Sequence, residues 1–300
     1  MYTKFFGNYL LNNGYITSEQ LISALEVQGN YSIKLGVLAI HAGYMTSSQV
    51  EDVHITQTHN NKMFGEIAIE KGYLTQEQVD DLLKSQKPDY LVFSQTLNDL
   101  GYLDANHFEE AFNDYRKKYK LSKDDFSHSE NKKLIDLIHT YYNISEDYLS
   151  NFFAQYLSIL FNNIIRFIGK DFTPHPAKKV KIFPDGHRTY QKIIGEFPTI
   201  SYYISDNNTL ISFASRYAQE DFPEIDEYVE ASVEDFLNLH NGLFITTMSN
   251  EFSIELFLEP PCSNTRLELN NDKDYYEIPI TFSFGTVHFI VERTRTAQAV

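Results

Sequence analysis

The sequence of 300 residues has a single cysteine, Cys262, so no intramolecular disulfide framework exists and a reducing compartment suits the chain. Basic residues are scarce: 25 Lys and Arg stand against 41 Asp and Glu, a formal charge of -16 with no basic stripe. Phosphate backbones and anionic lipid need local positive charge, so nucleic acid and membrane insertion are not expected. Long apolar runs are also missing. The greasiest stretch, Tyr148 to Ile168, is broken by Gln155, Asn162, Asn163 and Arg166, and the N-terminus lacks the charge, apolar run and cleavage site of a signal peptide. A cytoplasmic protein is expected. There is no G-x-x-x-x-G-K-[ST] phosphate loop, no G-x-S-x-G elbow and no Cys-His arrangement. His175, His187, His240 and His288 have no partner at metal-ligand spacing, so they read as structural and no metal or cofactor of the chain's own is expected.

What is present is globular, with 42% hydrophobic and 22% charged residues and enough length for two domains. The first third is periodic. Phe5-Phe6-Gly7 to Gln28, Lys34-Leu35-Gly36 to Gln57, Met63-Phe64-Gly65 to Gln86 and Val92-Phe93-Ser94 to Tyr115 align without gaps at an offset of 29. Each unit has a short apolar helix, a glycine suited to a left-handed helix end (Gly14, Gly43, Gly72, Gly101), a tyrosine, and an N-cap at Thr17, Thr46, Thr75 or Asp104. Gln20, Gln49 and Gln78 complete capping boxes, which His107 interrupts in the fourth unit. His54 falls at a core position and reads as a partly buried histidine.

Beyond Arg116 to Asn131, a charged connector, Leu134, Leu137, Ile138 and Tyr141 recur at helical spacing, and Ser145 caps a long apolar helix expected from about Glu146 to Ile168. From there the period shifts towards two. Lys178–Phe183, Lys192–Phe197, Thr199–Ser205, Thr209–Ala214, Phe252–Leu258, Tyr275–Phe282 and Thr286–Glu292 are strand candidates, with turns at Pro184-Asp185-Gly186 and Ser205-Asp206-Asn207-Asn208. Tyr228 to Asn250 predicts one amphipathic helix. Val233, Phe236, Leu237, Leu243 and Phe244 fall on a core side, with Glu234, Asp235, Asn238, Asn241 and Gly242 on a displayed side. Asp235, Asn238 and Gly242 form a stripe at i, i+3, i+7. A glycine inside a helix costs roughly 0.5 to 1 kcal/mol, so something should need the space beside the amide.

The pattern Asp235-x2-Asn238-x3-Gly242, with Pro261 after twenty-two further residues from Asn238, resembles the active-site signature of the CheC/CheX/FliY phosphatases of bacterial chemotaxis. The resemblance implies a hydrolase of signal transduction that dephosphorylates the aspartyl-phosphate of a CheY-like response regulator. Asn238 would orient the attacking water and Asp235 would engage the regulator's lysine, with Glu234, Asn241, Gly242 and Pro261 on the docking surface and Mg²⁺ held by the partner. Asp235 stands where the family has Glu, and Ala231 where it has Asp or Ser. Family members pair through sheet edges in some cases, so a homodimer is a further assembly the resemblance allows. The N-terminal units resemble the MshE-like N-terminal domain of type II secretion and type IV pilus ATPases, which binds cyclic di-GMP. By that resemblance Lys34, Gly36, Gln28, Gln57 and Gln86 are candidate ligand contacts. The family's arginine is replaced by Phe5, Lys34, Met63 and Val92, and the plainer reading is a helical docking module.

The expected fold class is α+β: four helical repeats over residues 1–119, a linker at 120–132, a CheX-like α/β sandwich with a largely antiparallel sheet over 133–293, and a tail at 294–300. Three functions follow: a response-regulator phosphatase, a non-catalytic response-regulator adaptor, and a cyclic di-GMP-responsive signalling protein.

Overall fold

The computed structural model describes residues 2–28, 34–59, 62–84, 89–122, 125, 131–142, 148–263 and 273–293. The capping residue expected at Ser145 and the tail at 294–300 lie outside them, as does most of the linker. The chain forms two compact units, one of Met1–Glu26 with Asp114–Val300 and the other of Val27–Asn113. Residues of the first 29-residue segment therefore belong to the unit that carries the sheet. No helix among the described residues is long and apolar enough to cross a membrane.

Helices α1 (Tyr2–Asn12), α2 (Ser18–Gln28), α3 (Leu35–His41), α4 (Ser47–His59), α5 (Phe64–Glu70), α6 (Gln76–Lys84), α7 (Asp89–Asp99) and α8 (Ala105–Lys118) follow one another. Their punctuation is local chemistry repeated. Gly14, Gly43, Gly72 and Gly101 all have φ between 70° and 73°, and the residue after each returns a hydrogen bond to the preceding helix. Thr17 with Gln20, Thr46 with Gln49, and Thr75 with Gln78 exchange reciprocal bonds at the next N-terminus. Asp104 instead accepts from the His107 backbone at 3.0 Å, and the His107 ring lies 2.5 Å from the same carboxylate. His54 is half-buried against the Phe64 ring.

A second glycine series sets how closely successive helices approach. A Cβ on Gly7, Gly36 or Gly65 would meet Leu21, Val50 or Val79, always the residue fourteen positions on, at 3.3, 2.8 and 3.3 Å. The absence of a side chain thus closes the helix pair. In the sheet-bearing unit α1 is buried on most sides. Phe5 packs edge-on to Tyr141 and Phe161, Asn8 bonds His175, and Tyr115 donates to the Tyr2 carbonyl.

The rest of that unit contains α9 (Asn131–Tyr141), α10 (Tyr148–Asn163) with a π-helical turn at Ile164–Ile168, α11 (Asn207–Ala218) and α12 (Glu227–Phe252). Its strands are β1 (Phe172–Pro174), β2 (Lys178–Val180), β3 (His187–Gly195), β4 (Thr199–Ser205), β5 (Leu256–Leu258), β6 (Cys262–Ser263), β7 (Asp274–Phe282) and β8 (Gly285–Arg293). They form one sheet in the order β1-β7-β8-β4-β3-β5, with β2 beside β7 and β6 beside β3, and every pairing is antiparallel. One face carries Ile193, Tyr203, Phe289, Ile278 and Ile280 towards the helices, where Phe213 of α11 packs against Tyr203 and Phe236 of α12. The other face holds Tyr190, Tyr202, Tyr275 and Ile290 beneath Phe183.

The segment Thr209–Ala214, expected as a strand, is instead part of α11. Asp206 caps it by accepting from the Thr209 backbone at 3.0 Å and the Thr209 hydroxyl at 2.8 Å. Burial of Thr209, Leu210, Phe213 and Ala214 follows the helical period, which the short alternation in sequence concealed. Likewise α12 runs to Phe252, ends at Ser253 with φ 57°, and leaves only Leu256–Leu258 as strand. Strand β3 begins at His187, five residues before the expected start.

Gly36→Ala should destabilise the Val27–Asn113 unit by about 1–3 kcal/mol, because the new methyl must displace Val50 at 2.8 Å and Phe64 at 3.0 Å. Urea unfolding of the variant checks this, and an unchanged midpoint would mean that the interface is looser than drawn.

Candidate functional site

The 26-residue helix α12 is set at both ends. Asp226 accepts from the Tyr228 and Val229 backbones at 3.0 Å, and Ser253 turns left-handed to close the C-terminus. Along its inner side Val229, Val233, Phe236, Leu237, Phe244 and Met248 are buried, and the helix lies across β3, β4, β5 and β6. Two assignments of the sequence-based faces are corrected. Asn241 is fully buried, while Leu243 is 43% exposed. The sheet beneath is not apolar throughout: Gln191 and Ser201, paired across β3 and β4, face the helix and offer Asn241 polar partners in the core.

Asp235 and Asn238 are exposed, one turn apart. The Asn238 side chain is not left to rotate. Gln191, with no exposure, donates from Nε2 to Asn238 Oδ1 at 2.7 Å and to the Glu259 carbonyl at 2.9 Å. Its Oε1 accepts from Asn241 Nδ2 at 2.9 Å, and Asn241 Oδ1 accepts from the Ser201 hydroxyl at 3.0 Å. Asp235 Oδ2 accepts from the Tyr217 hydroxyl at 2.7 Å, with the Tyr217 ring held edge-on by Phe167 and Phe236. Partial burial, then the Asp235 carboxylate, push the Tyr217 hydroxyl well above its ordinary range, so it stays a donor.

Gly242 completes the stripe. Among the described residues a Cβ built on it meets nothing within 4 Å outside its own helix backbone, so the space on this side of the helix is open. Glu234 is half-buried at the margin. Pro261 is half-buried in the short connection from Glu259, whose carbonyl holds Gln191, to Cys262, which pairs with Tyr190 of β3. Asp235, Asn238 and Gly242 thus share one displayed helix face, Pro261 follows the Glu259 carbonyl that fixes the amide, and Asn241 works from beneath.

Gln191, Ser201 and Tyr217 were not singled out in the sequence. Gln191 left one signal, a polar residue at an inward position of the alternating run Thr189-x-Gln191-x-Ile193. The Tyr217–Asp235 contact joins two helices and has no local signature. Among the described residues no group of three or more His, Cys, Asp or Glu is placed to hold a metal ion.

Three of the five N-terminal candidates are described with their contacts. Lys34 Nζ lies 3.0 Å from Asp99, Gly36 is closed against Val50, and Gln57 donates to the Lys62 carbonyl. The side chain of Gln28 and all of Gln86 lie outside the described residues.

No family model matches the chain, and no curated protein matches it. Solved structures do. A CheC-like superfamily protein from Shewanella sp. PV-4 is 15% identical with a TM-score of 0.42, covering 47% of this chain and 96% of that one. The CheX–CheY–BeF3–Mg complex of Borrelia burgdorferi gives 15% identity and a TM-score of 0.42 over the same shares. FliY from Thermotoga maritima is 16% identical with a TM-score of 0.34, covering 44% of this chain and 81% of its own.

Behind the stripe, His240 is completely buried, with its ring 4.4 Å from that of Tyr156, Nδ1 3.5 Å from Asn163 Nδ2, and Nε2 without a partner among the described residues. Burial pushes its pKa down to about 3, so the folded chain holds it neutral. The unfolded chain binds that proton near its ordinary pKa of about 6.5, so this group lowers stability as pH falls below that value, by about 1.4 kcal/mol per pH unit, until the folded pKa is reached. His240→Gln should flatten the pH dependence of the urea midpoint between about pH 6 and 4 by one proton's worth. An unchanged slope would mean that the ring is solvated.

Proposed function

We propose that the chain is a phosphatase for the aspartyl-phosphate of a CheY-like response regulator, acting through the displayed face of α12. The observation that carries the reading is Asn238, an exposed amide on a rigid helix, fixed from below by Gln191 and standing one turn from a carboxylate and beside an unfilled space. An aspartyl phosphate is a labile acyl phosphate, so a catalyst needs chiefly to place a water in line and to hold the partner still. Water then bonds to phosphorus, the bond to the aspartyl oxygen breaks, and the products are the free carboxylate and inorganic phosphate. Asn238 orients the water and Asp235 receives the regulator's lysine, while Mg²⁺ belongs to the regulator.

The surroundings support a cationic contact. From Tyr217 to Thr265 the sequence has no Lys or Arg, and Glu224, Asp226, Glu227, Glu230, Glu234 and Asp235 crowd the N-terminal half of α12 and its approach. A second reading, docking without hydrolysis, draws on Asp235, which is a methylene shorter than glutamate and is already held by Tyr217. A positional error of about 1 Å costs on the order of 100-fold in rate while leaving binding largely intact.

The test is the lifetime of a chemically phosphorylated CheY-type regulator with Mg²⁺, with and without this protein. A shortened lifetime is expected, and Asn238→Ala should remove about 100-fold or more of the acceleration with docking retained. Gly242→Ala, which adds a methyl only on the displayed side, should stabilise the free protein by about 0.5–1 kcal/mol yet weaken docking. An unchanged lifetime with a measurable complex would establish the adaptor reading instead.

A further inference from the structure

The amide chain beneath α12 has a direction. A backbone carbonyl only accepts, so the Gln191 atom 2.9 Å from the Glu259 oxygen is the nitrogen, and Oε1 lies on the other side, facing Asn241. Asn241 must then present Nδ2 to Gln191 and Oδ1 to the Ser201 hydroxyl. The second proton of Gln191 Nε2 needs an acceptor in a site with no exposure, and Asn238 supplies its Oδ1 at 2.7 Å. An asparagine on an open helix face can present either end of its amide. Here the end is chosen from the core.

We propose that Gln191 is the positioning residue of the site: it turns Asn238 Oδ1 towards the sheet and so presents the two Nδ2 protons outward, to an oxygen lone pair of a phosphoryl group or of its attacking water. The inference rests on the reading of Asn238 as the working residue of the site. It adds which atoms do the work and what holds them. Asn241 and Ser201 set the orientation of Gln191, and the carbonyl before Pro260-Pro261 is the reference on which the chain depends. The connection carrying Pro261 therefore acts on Asn238 through Gln191.

The experiment uses the full-length protein with labelled side-chain amides, the Asn238 signals being identified by their loss in Asn238→Asp. In the unmodified protein the Gln191 Nε2 protons should be protected from exchange with water, and the Asn238 Nδ2 protons should exchange as open amides. Protected Asn238 protons with exposed Gln191 protons would overturn the assignment, and this arm is read on the unmodified protein, with the surface variant Asn238→Asp used only to assign signals. In Gln191→Met the Asn238 amide should become mobile, with its heteronuclear Overhauser effect falling towards that of a free side chain. The dephosphorylation rate at saturating regulator should fall by about 10- to 100-fold while the dissociation constant stays within about twofold. In Gln191→Glu the carboxylate cannot donate, so Asn238 should turn Nδ2 inward: its protons become protected and the rate falls as in Gln191→Met. An ordered Asn238 amide and an unchanged rate in Gln191→Met would defeat the proposal. A regulator lifetime that the unmodified protein leaves unaltered would defeat the phosphatase reading alone, with the exchange measurements still deciding the role of Gln191.

Discussion

The hydrogen-bonded chain from Ser201 through Asn241 and Gln191 to Asn238 is the constraint on which the arrangement of this unit rests. Apolar contacts alone would hold α12 on the sheet without choosing its rotation, because Phe236 against Phe213 and Phe289 tolerates small slides of one ring over another. Buried amides do not. Leaving one donor or acceptor of Gln191 or Asn241 without its partner costs about 1–3 kcal/mol in a site closed to water, so the register of helix on sheet is fixed to within one hydrogen bond. The same bonds that specify the packing end at an exposed amide. Fold specificity and the geometry of the displayed face therefore have one physical cause.

Two glycines mark the contrast between structure and surface. Gly36 exists because Val50 and Phe64 occupy the volume a side chain would need, and its absence of Cβ is consumed inside the protein. A Cβ on Gly242 would meet nothing within 4 Å among the described residues, so no described contact needs the missing methyl. An internal helix glycine that serves no internal contact points outward. The recurrence of the Gly7, Gly36 and Gly65 contacts at one fixed offset gives the periodic segment a packing rationale independent of any ligand. Lys34 pairs with Asp99 at 3.0 Å on the surface of the Val27–Asn113 unit.

Much of this was written locally and could be read locally. The left-handed glycines, the Thr-Gln capping boxes, strands β4, β7 and β8 and the stripe Asp235, Asn238, Gly242 each follow from residues within a few positions of one another. What escaped was set by partners distant in the chain. Asn241 looks like a displayed residue until Gln191, fifty positions earlier, is placed beneath it. Leu243 fits an apolar stripe by period, yet it is left exposed on the folded helix. The alternation of Thr209 to Ala214 imitates a strand because six residues are too few to separate a period of 2 from 3.6, and the cap at Asp206 decided the matter. Tyr217 could not be connected to Asp235 before α11 and α12 were known to be neighbours.

The electrostatics of α12 follow from the same division of labour. Its inner side is kept neutral, with His240 buried and unprotonated, while its outer N-terminal half carries carboxylates and no cation. Such a face repels a bare phosphate. On the proposed reading the phosphoryl group would arrive in a partner whose own cations offset its charge, and the carboxylates would attract those cations. The acidic surface, which at first sight argues against phosphate chemistry, is on this account a filter. It would reject free phosphate and simple phosphoesters and admit a phosphoryl group presented within a folded, cation-bearing site.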